Sequence, residues 1–365
     1  MAQPSTELER RLVERINREG PITFRDFMQA ALYDPELGYY NTERLKIGPD
    51  GDYYTSSNVH SAFGAVLARA FAEMWADAGE PLTLVEMGPG TGRLASDVLS
   101  AMLAEHPDLL NRLTYVLVET SDTMRKRQQD NLLSFEDQVA CSPLGELEQK
   151  GIQGIVFSNE FVDALPVHRV CRIDDRLREM YVEAASPGSA NRLRATWGNT
   201  STTMLDEYVD RMKVSLRDEQ MIEINLDAIE WFERISRVLE RGFLVTVDYG
   251  DLAEVLYAPE RRSGTVRSFY RHRLIDSPFD RIGEQDITSS VNFTALIENG
   301  RDIGFELVSY ERQTAFLIRM GLIERIAARC GPNESLENQL ERLAVKNLFV
   351  PGGVSDNFRV LIQRR

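Results

Sequence analysis

The run Leu84-Val85-Glu86-Met87-Gly88-Pro89-Gly90-Thr91-Gly92-Arg93-Leu94 constrains the fold more than any other part of the chain. It reads as a short apolar strand ending in a carboxylate, then a glycine-rich bend, then a helix start. Glycines at 88, 90 and 92 permit positive backbone angles and let a ligand approach the main chain. The helix behind the bend offers unpaired N–H groups. A bend of this kind holds a nucleotide or a nucleoside. The dinucleotide fingerprint G-x-G-x-x-G would put its third glycine at Arg93. That glycine lets helix and strand pack closely, and arginine cannot substitute for it.

A second carboxylate narrows the choice. Leu113-Thr114-Tyr115-Val116-Leu117-Val118 is a β-rich run that ends at Glu119. A carboxylate there can accept hydrogen bonds from both hydroxyls of a ribose. It lies about thirty residues past the bend, further than the ~20 of the dinucleotide motif. The alternative is a tight loop followed by a solvated strand end, and two acidic strand ends in succession weigh against it. The spacing G-x-G-x-G with Glu86 before it resembles motif I of the class I S-adenosylmethionine methyltransferases. The resemblance implies a turn wrapped around the methionine end of that cofactor, with Glu86 attracting its ammonium.

Alternating strands and helices follow the bend. Strands are expected to Met87, over 113–119, near Val139, from Ile152 to Ser158 and from Phe243 to Asp248, with helices at about 92–104 and 121–133. This pattern predicts an α/β fold, a parallel sheet with helices on both faces; the resemblance to class I methyltransferases implies that it is their Rossmann-like sheet. Phe305–Tyr310 and Phe358–Ile362 are candidate closing strands. Ligands of such sheets bind beyond the carboxyl ends of the strands, where Glu86, Glu119 and Asn159 fall. Residues 1–80 read as an N-terminal helical layer packing on a core of 81–365. Leu8, Leu12 and Ile16 stripe one helix, Thr23 caps a second, and a third begins at Ala62. About eighty residues separate Asn159 from the next core strand, so an insertion on the substrate side is expected at about 167–225. It opens with a hairpin around Asp174-Asp175 and continues as a polar stretch from Ser186 to Thr203. Asn225 caps a helix for which Gly242 is the expected stop.

Composition excludes several classes. A net charge of −15 disfavours a nucleic-acid partner, because phosphate binding needs clustered Lys and Arg. The charge is compatible with a cationic substrate. Cys141, Cys171 and Cys330 form neither a disulfide framework nor a zinc pattern, and the four histidines lack metal-ligand spacing. No apolar run reaches the ~20 residues of a membrane span. The first residues mix arginine with Glu7, Glu9, Glu14 and Glu19, so no transit peptide is expected, and a reducing cytoplasm is the default location.

Several stretches together resemble the MidA-like methyltransferase family. They are Pro21–Phe24 with Phe27-Met28, Leu32–Pro35 with Gly38–Tyr40, Gly51–Thr55, Glu86–Gly92, Asn159–Val167, Asp248–Gly250 and Gly283–Phe293. The Asn159–Val167 block is the most specific of them. The mitochondrial member of that family is an arginine methyltransferase needed for assembly of respiratory complex I. The resemblance therefore implies arginine N-methylation of a protein partner such as a complex I subunit. The alternatives are O- or N-methylation of a small molecule, and a non-catalytic assembly factor. Where the family has a histidine and an aspartate, this chain has Ser290 and Asn292, which bears on the substrate rather than the cofactor.

Site residues follow from these readings. Thr55, Glu86, Gly88, Pro89, Gly90, Gly92, Glu119 and Asn159 are the expected cofactor contacts. Glu160 and Asp163 are the catalytic candidates: carboxylates bind a guanidinium bidentately, and a helical turn would put both on one face. Otherwise Asp163 caps the turn and Glu160 acts alone. His168, Asp248 and Tyr249 are expected on the substrate side. Because the donor's methyl is already activated, no nucleophilic triad is expected, and the cysteine and histidine spacing leads to no metal being expected.

Overall fold

The computed structural model describes residues 6–42, 61–76, 81–186, 192–329 and 357–365. The chain divides into two compact units. The first comprises Tyr54–Val162, Phe232–Tyr249 and Ile297–Arg365. Its sheet is built from β1 (Leu82–Met87), β2 (Leu113–Val118), β3 (Val139–Cys141), β4 (Ile152–Asn159), β5 (Leu239–Asp251), β6 (Glu306–Arg312) and β7 (Phe358–Arg364). The strand order is β3-β2-β1-β4-β5-β7-β6. Strands β1 to β5 are mutually parallel, whereas β7 runs antiparallel to both β5 and β6. The α/β sheet is the one that the sequence pattern predicts, whereas the antiparallel β7 departs from the parallel sheet that alternating strands and helices imply.

The order reverses at β1. The chain steps outward to β2 and β3 and then returns to β4 on the other side. Such a switch point leaves a crevice beyond the carboxyl ends of the two inner strands. Period-2 alternation sorts the strand residues between the faces. Leu84, Tyr115, Phe157 and Val247 pack with Phe63, Phe71, Leu94 and Val98 of helices Ser61–Trp75 and Arg93–Glu105. Val85, Val116 and Val156 are equally buried on the opposite face.

Gly242 does not stop a helix. The helix capped by Asn225 Oδ1, which accepts from Ala228 N at 2.8 Å, ends at Val238, and the chain passes directly into β5. Gly242 lies inside that strand at φ 134°, where a Cβ would come within 1.8 Å of Gly154 O. Close approach of two strands requires this glycine.

The second unit comprises Met1–Tyr53, Asp163–Trp231 and Gly250–Leu296. Helices Glu7–Glu19 and Phe24–Tyr33 belong here, while Ser61–Trp75 belongs to the sheet unit. Thr23 caps the second helix by accepting from Asp26 N at 3.1 Å. The expected hairpin is formed by His168–Ile173 and Arg176–Ala184, with Asp174 and Asp175 at φ 49° and 58°, the left-handed pair of a tight hairpin turn. Within the stretch read as polar, Leu193–Gly198 adds a further strand to Arg176–Ala184. Its exposed Arg194 and Ala195 hide the strand pattern; only Leu193 is fully inside. The helices bury Phe24, Phe27, Met28 and Leu32 against Val167, Met180 and Val182. Each such side chain stabilises the unit by about 1.5–3 kcal/mol. Among the described residues, no helix is long and apolar enough to cross a membrane.

Candidate active site

The bend after β1 adopts the backbone its glycines allow. Gly88, Gly90 and Gly92 have φ of 63°, 54° and 78°. Gly92 is the N-cap of helix Arg93–Glu105 and provides no side-chain cap. The bend is held from outside by residues that pattern reading missed: Gln128 Nε2 donates to Gly90 O at 2.7 Å, and Asn131 Nδ2 to Thr91 O at 2.8 Å. Both lie on the helix Asp122–Asn131 that follows Glu119, and their distance along the chain gives no local signal. Gly88 is also a packing position, since a Cβ there would meet the Phe161 ring at 2.6 Å. Gly88→Ala is therefore expected to weaken S-adenosylmethionine binding by about tenfold, or 1.4 kcal/mol, in calorimetry. An unchanged affinity would show that the bend does not touch the ligand.

Glu86 stands at the end of β1, 2 % exposed. Its Oε2 accepts from Tyr115 Oη at 2.8 Å. Its Oε1 has no hydrogen-bond partner among the described residues. Burial pushes the carboxyl up to about 7; the Tyr115 hydrogen bond opposes the shift, and the charge of Glu119 adds to it. The same burial drives Tyr115 well above its ordinary value. A buried carboxyl with one oxygen uncommitted fits a cationic ligand group, which restores the stability of the charged form. Glu119 follows β2. Its Oε1 accepts from Ser121 N at 2.8 Å, and its Oε2 lies 3.5 Å from Gln128 Nε2. Burial raises its pKa as well, against hydrogen bonds from the Ser121 and Thr120 backbone. The residues fit the cofactor the sequence implies: an uncommitted buried carboxylate for an ammonium and a second, oriented carboxylate for the ribose.

The block Asn159–Val162 leaves β4 at the same edge. Asn159 Nδ2 donates to Glu160 Oε1 at 3.2 Å. Glu160 has φ 51°, a left-handed conformation rare outside glycine. The conformation is over-determined. Glu160 N donates to Val247 O at 3.0 Å, and Asp248 Oδ2 accepts from Phe161 N at 3.2 Å and Val162 N at 2.9 Å. Asp248 Oδ1 takes Tyr249 N at 2.9 Å. Such strain persists where surrounding structure enforces it, and it concentrates at functional sites. Asp248, expected on the substrate side, is instead fully buried and serves as the acceptor that shapes this loop. Asp248→Asn replaces one acceptor oxygen by a donor facing N–H groups. It is expected to lower stability by about 2–3 kcal/mol in chemical denaturation, and a loss under about 0.5 kcal/mol would refute the anchoring role.

Other expected residues fall elsewhere. No helical turn follows Glu160, so the shared-face argument for Glu160 and Asp163 lapses. Asp163, 4 % exposed, begins the second unit, and its carbonyl accepts from Ser289 N at 2.9 Å. His168 is a buried strand residue: Nδ1 lies 2.7 Å from Glu179 Oε1, and Glu179 Oε2 also accepts Ser201 N. That pairing ties strands together rather than lining a cleft. Tyr249 packs edge-on to Phe358, ring centres 5.6 Å apart. Thr55 lies outside the described residues, as do Tyr53 and Tyr54. Asn292 has a structural explanation: Oδ1 accepts Ala295 N at the start of a helix, and Nδ2 donates to the hydroxyls of Tyr208 and Tyr257 at 2.7 and 3.2 Å. An aspartate would lack that donor. Asn292 thus serves a hydrogen-bond cluster of this chain.

A glycine bend at a sheet's switch point, flanked by acidic strand ends, defines a nucleoside-cofactor site of the methyltransferase type. The family model described as "Putative S-adenosyl-L-methionine-dependent methyltransferase" matches residues 66–310, more than half the chain, and the chain belongs to that family. It is 28% identical over 310 residues to the protein arginine methyltransferase NDUFAF7, mitochondrial, of Xenopus tropicalis, covering 78% of this chain and 69% of the relative. The human protein of the same name is 28% identical over 347 residues, covering 88% and 75%. A crystal structure of a protein from Burkholderia thailandensis bound to S-adenosyl-homocysteine superposes with a TM-score of 0.89 at 26% identity, covering 98% of this chain and 92% of that one. The chain is a methyltransferase whose methyl donor is S-adenosylmethionine.

Proposed function

We propose that this methyltransferase modifies arginine side chains of a protein acceptor. The relatives named as protein arginine methyltransferases, similar over most of the chain, carry the reading. The constrained Glu160 supports it. The cofactor supplies a methyl group already activated by a positive sulfur. The chain has to bind, orient and exclude water. In this reading Glu86 neutralises the donor's ammonium, Glu119 orients its ribose, and Asn159 touches it. Glu160, held in a left-handed turn, receives the planar guanidinium and accepts the proton released as nitrogen is methylated. A complex I subunit is the first acceptor to try. A cytoplasmic location is proposed with it, and the free thiols of Cys141 and Cys171 are compatible with a reducing compartment.

The test is transfer of labelled methyl from S-adenosylmethionine into a cell lysate. Methylarginine in the hydrolysed protein fraction is the expected product. Label confined to small metabolites would replace this reading with a small-molecule acceptor.

A further inference from the structure

From Ala258 to Ile275 the chain carries five arginines and one carboxylate, Glu260, although its net charge is −15. Arg261, Arg262, Arg267 and Arg273 are exposed, and among the described residues their side chains have no ion-pair partner. Elsewhere on the surface arginines are commonly neutralised locally, as in Arg15–Glu19 at 3.0 Å, Arg69–Glu73 at 2.9 Å and Arg172–Asp175 at 3.0 Å. Leaving these four cations unmatched in so acidic a protein is a local reversal of field.

The segment is held rigidly. Arg262 O accepts Met221 N at 2.9 Å, and Ser263 O accepts Arg169 Nη2 at 3.0 Å. Thr265 donates its N–H and its hydroxyl to Glu223 Oε2 at 2.6 and 2.9 Å, and Glu223 Oε1 pairs with Arg169 Nε at 3.1 Å. Arg169 and Glu223 are both buried, a charged pair that methyl transfer does not use. Beyond it, Arg267–Tyr270 and Arg273–Ile275 form a hairpin. The register places Phe269 opposite Leu274 on the face that also carries Arg267, and Arg273, opposite Tyr270, on the other face, so the hairpin presents cations on both sides; Leu274 is 61% exposed. At the hairpin end, the Arg281 guanidinium stacks 4.1 Å from the Tyr270 ring.

We propose that Arg261–Ile275 is a docking surface for an acidic, partly apolar stretch of the protein acceptor. This rests on the protein-acceptor reading above. Complementary charge selects the partner, and preorganisation by the Arg169–Glu223 pair limits the ordering cost on binding. The strongly acidic remainder of the chain repels the extended phosphate arrays of nucleic acids and anionic membranes.

The test compares the intact protein with the quadruple variant Arg261→Glu/Arg262→Glu/Arg267→Glu/Arg273→Glu and with its four-glutamine counterpart. Binding of a labelled oligoglutamate, read by fluorescence anisotropy, should weaken about tenfold or more in the glutamate variant and with added salt. Methyl incorporation into lysate protein should fall about as much at limiting acceptor, while S-adenosylmethionine affinity is unchanged. The glutamine variant should show the same loss in smaller degree. Equal oligoglutamate binding by all three proteins would overturn the proposal. So would tighter binding of duplex DNA or of phosphatidylserine vesicles, or undiminished protein methylation by the glutamate variant. Label reaching only small metabolites, with oligoglutamate binding lost as expected, would instead remove the protein-acceptor reading.

Discussion

Glu86→Gln should stabilise the ligand-free protein by about 3 kcal/mol above pH 7 while crippling its affinity for S-adenosylmethionine. Burial raises the Glu86 carboxyl from 4.5 to about 7. The folded chain therefore keeps this proton up to about pH 7, whereas the unfolded chain gives it up near the ordinary value. The contribution to stability is present in full below the unfolded pKa and is lost as pH rises through about 7. Glutamine stays neutral and can still accept the Tyr115 hydroxyl. Denaturation at pH 5 and pH 8 should show the wild type losing stability relative to the variant. Ligand binding runs the other way, because the cationic end of the donor needs the ionised carboxylate. Wild-type affinity should rise from pH 5.5 to about 7.5 and then level. The variant should bind weakly with no such rise. Identical pH profiles for the two proteins would mean that Glu86 does not meet the ammonium.

Glu160 is expected to separate chemistry from folding. Glu160→Gln should reduce methyl transfer by about 10²-fold or more, with cofactor affinity and melting temperature nearly unchanged. Glu160→Gly should be equally inactive yet more stable by about 1 kcal/mol, because glycine adopts φ 51° without strain. A protein that holds a costly conformation at one residue, and gains stability when that residue is lost, retains it for function. Full activity in Glu160→Gln would remove this residue from the mechanism. A glycine variant less stable than wild type would show that the backbone there is not strained.

The strand ends and the glycine bend were legible because their signals are local. Strand, carboxylate and bend occupy one short run from Leu84 to Leu94, and Glu119 closes the next strand in the same way. The supports were not legible. Asp248 shapes the Glu160 loop through the N–H groups of Phe161 and Val162, 87 and 86 positions away, and backbone donors leave no mark in a sequence. Gln128 reaches Gly90 across 38 positions. The hydrogen-bond partners of His168 and Asn292 were not legible either: His168 meets Glu179, and Asn292 meets Tyr208 and Tyr257, all distant along the chain. The shared-face argument for Asp163 and Glu160 was conditional on a helical turn, and a left-handed step at Glu160 stands in its place.

The most direct measurement is a crystal structure with S-adenosyl-homocysteine bound. The amino group should lie about 3 Å from Glu86 Oε1 and the ribose hydroxyls about as close to Glu119, with Gly88–Gly92 wrapped around the ligand. A ligand seated away from both carboxylates would contradict the account, whatever the density showed for the rest of the fold.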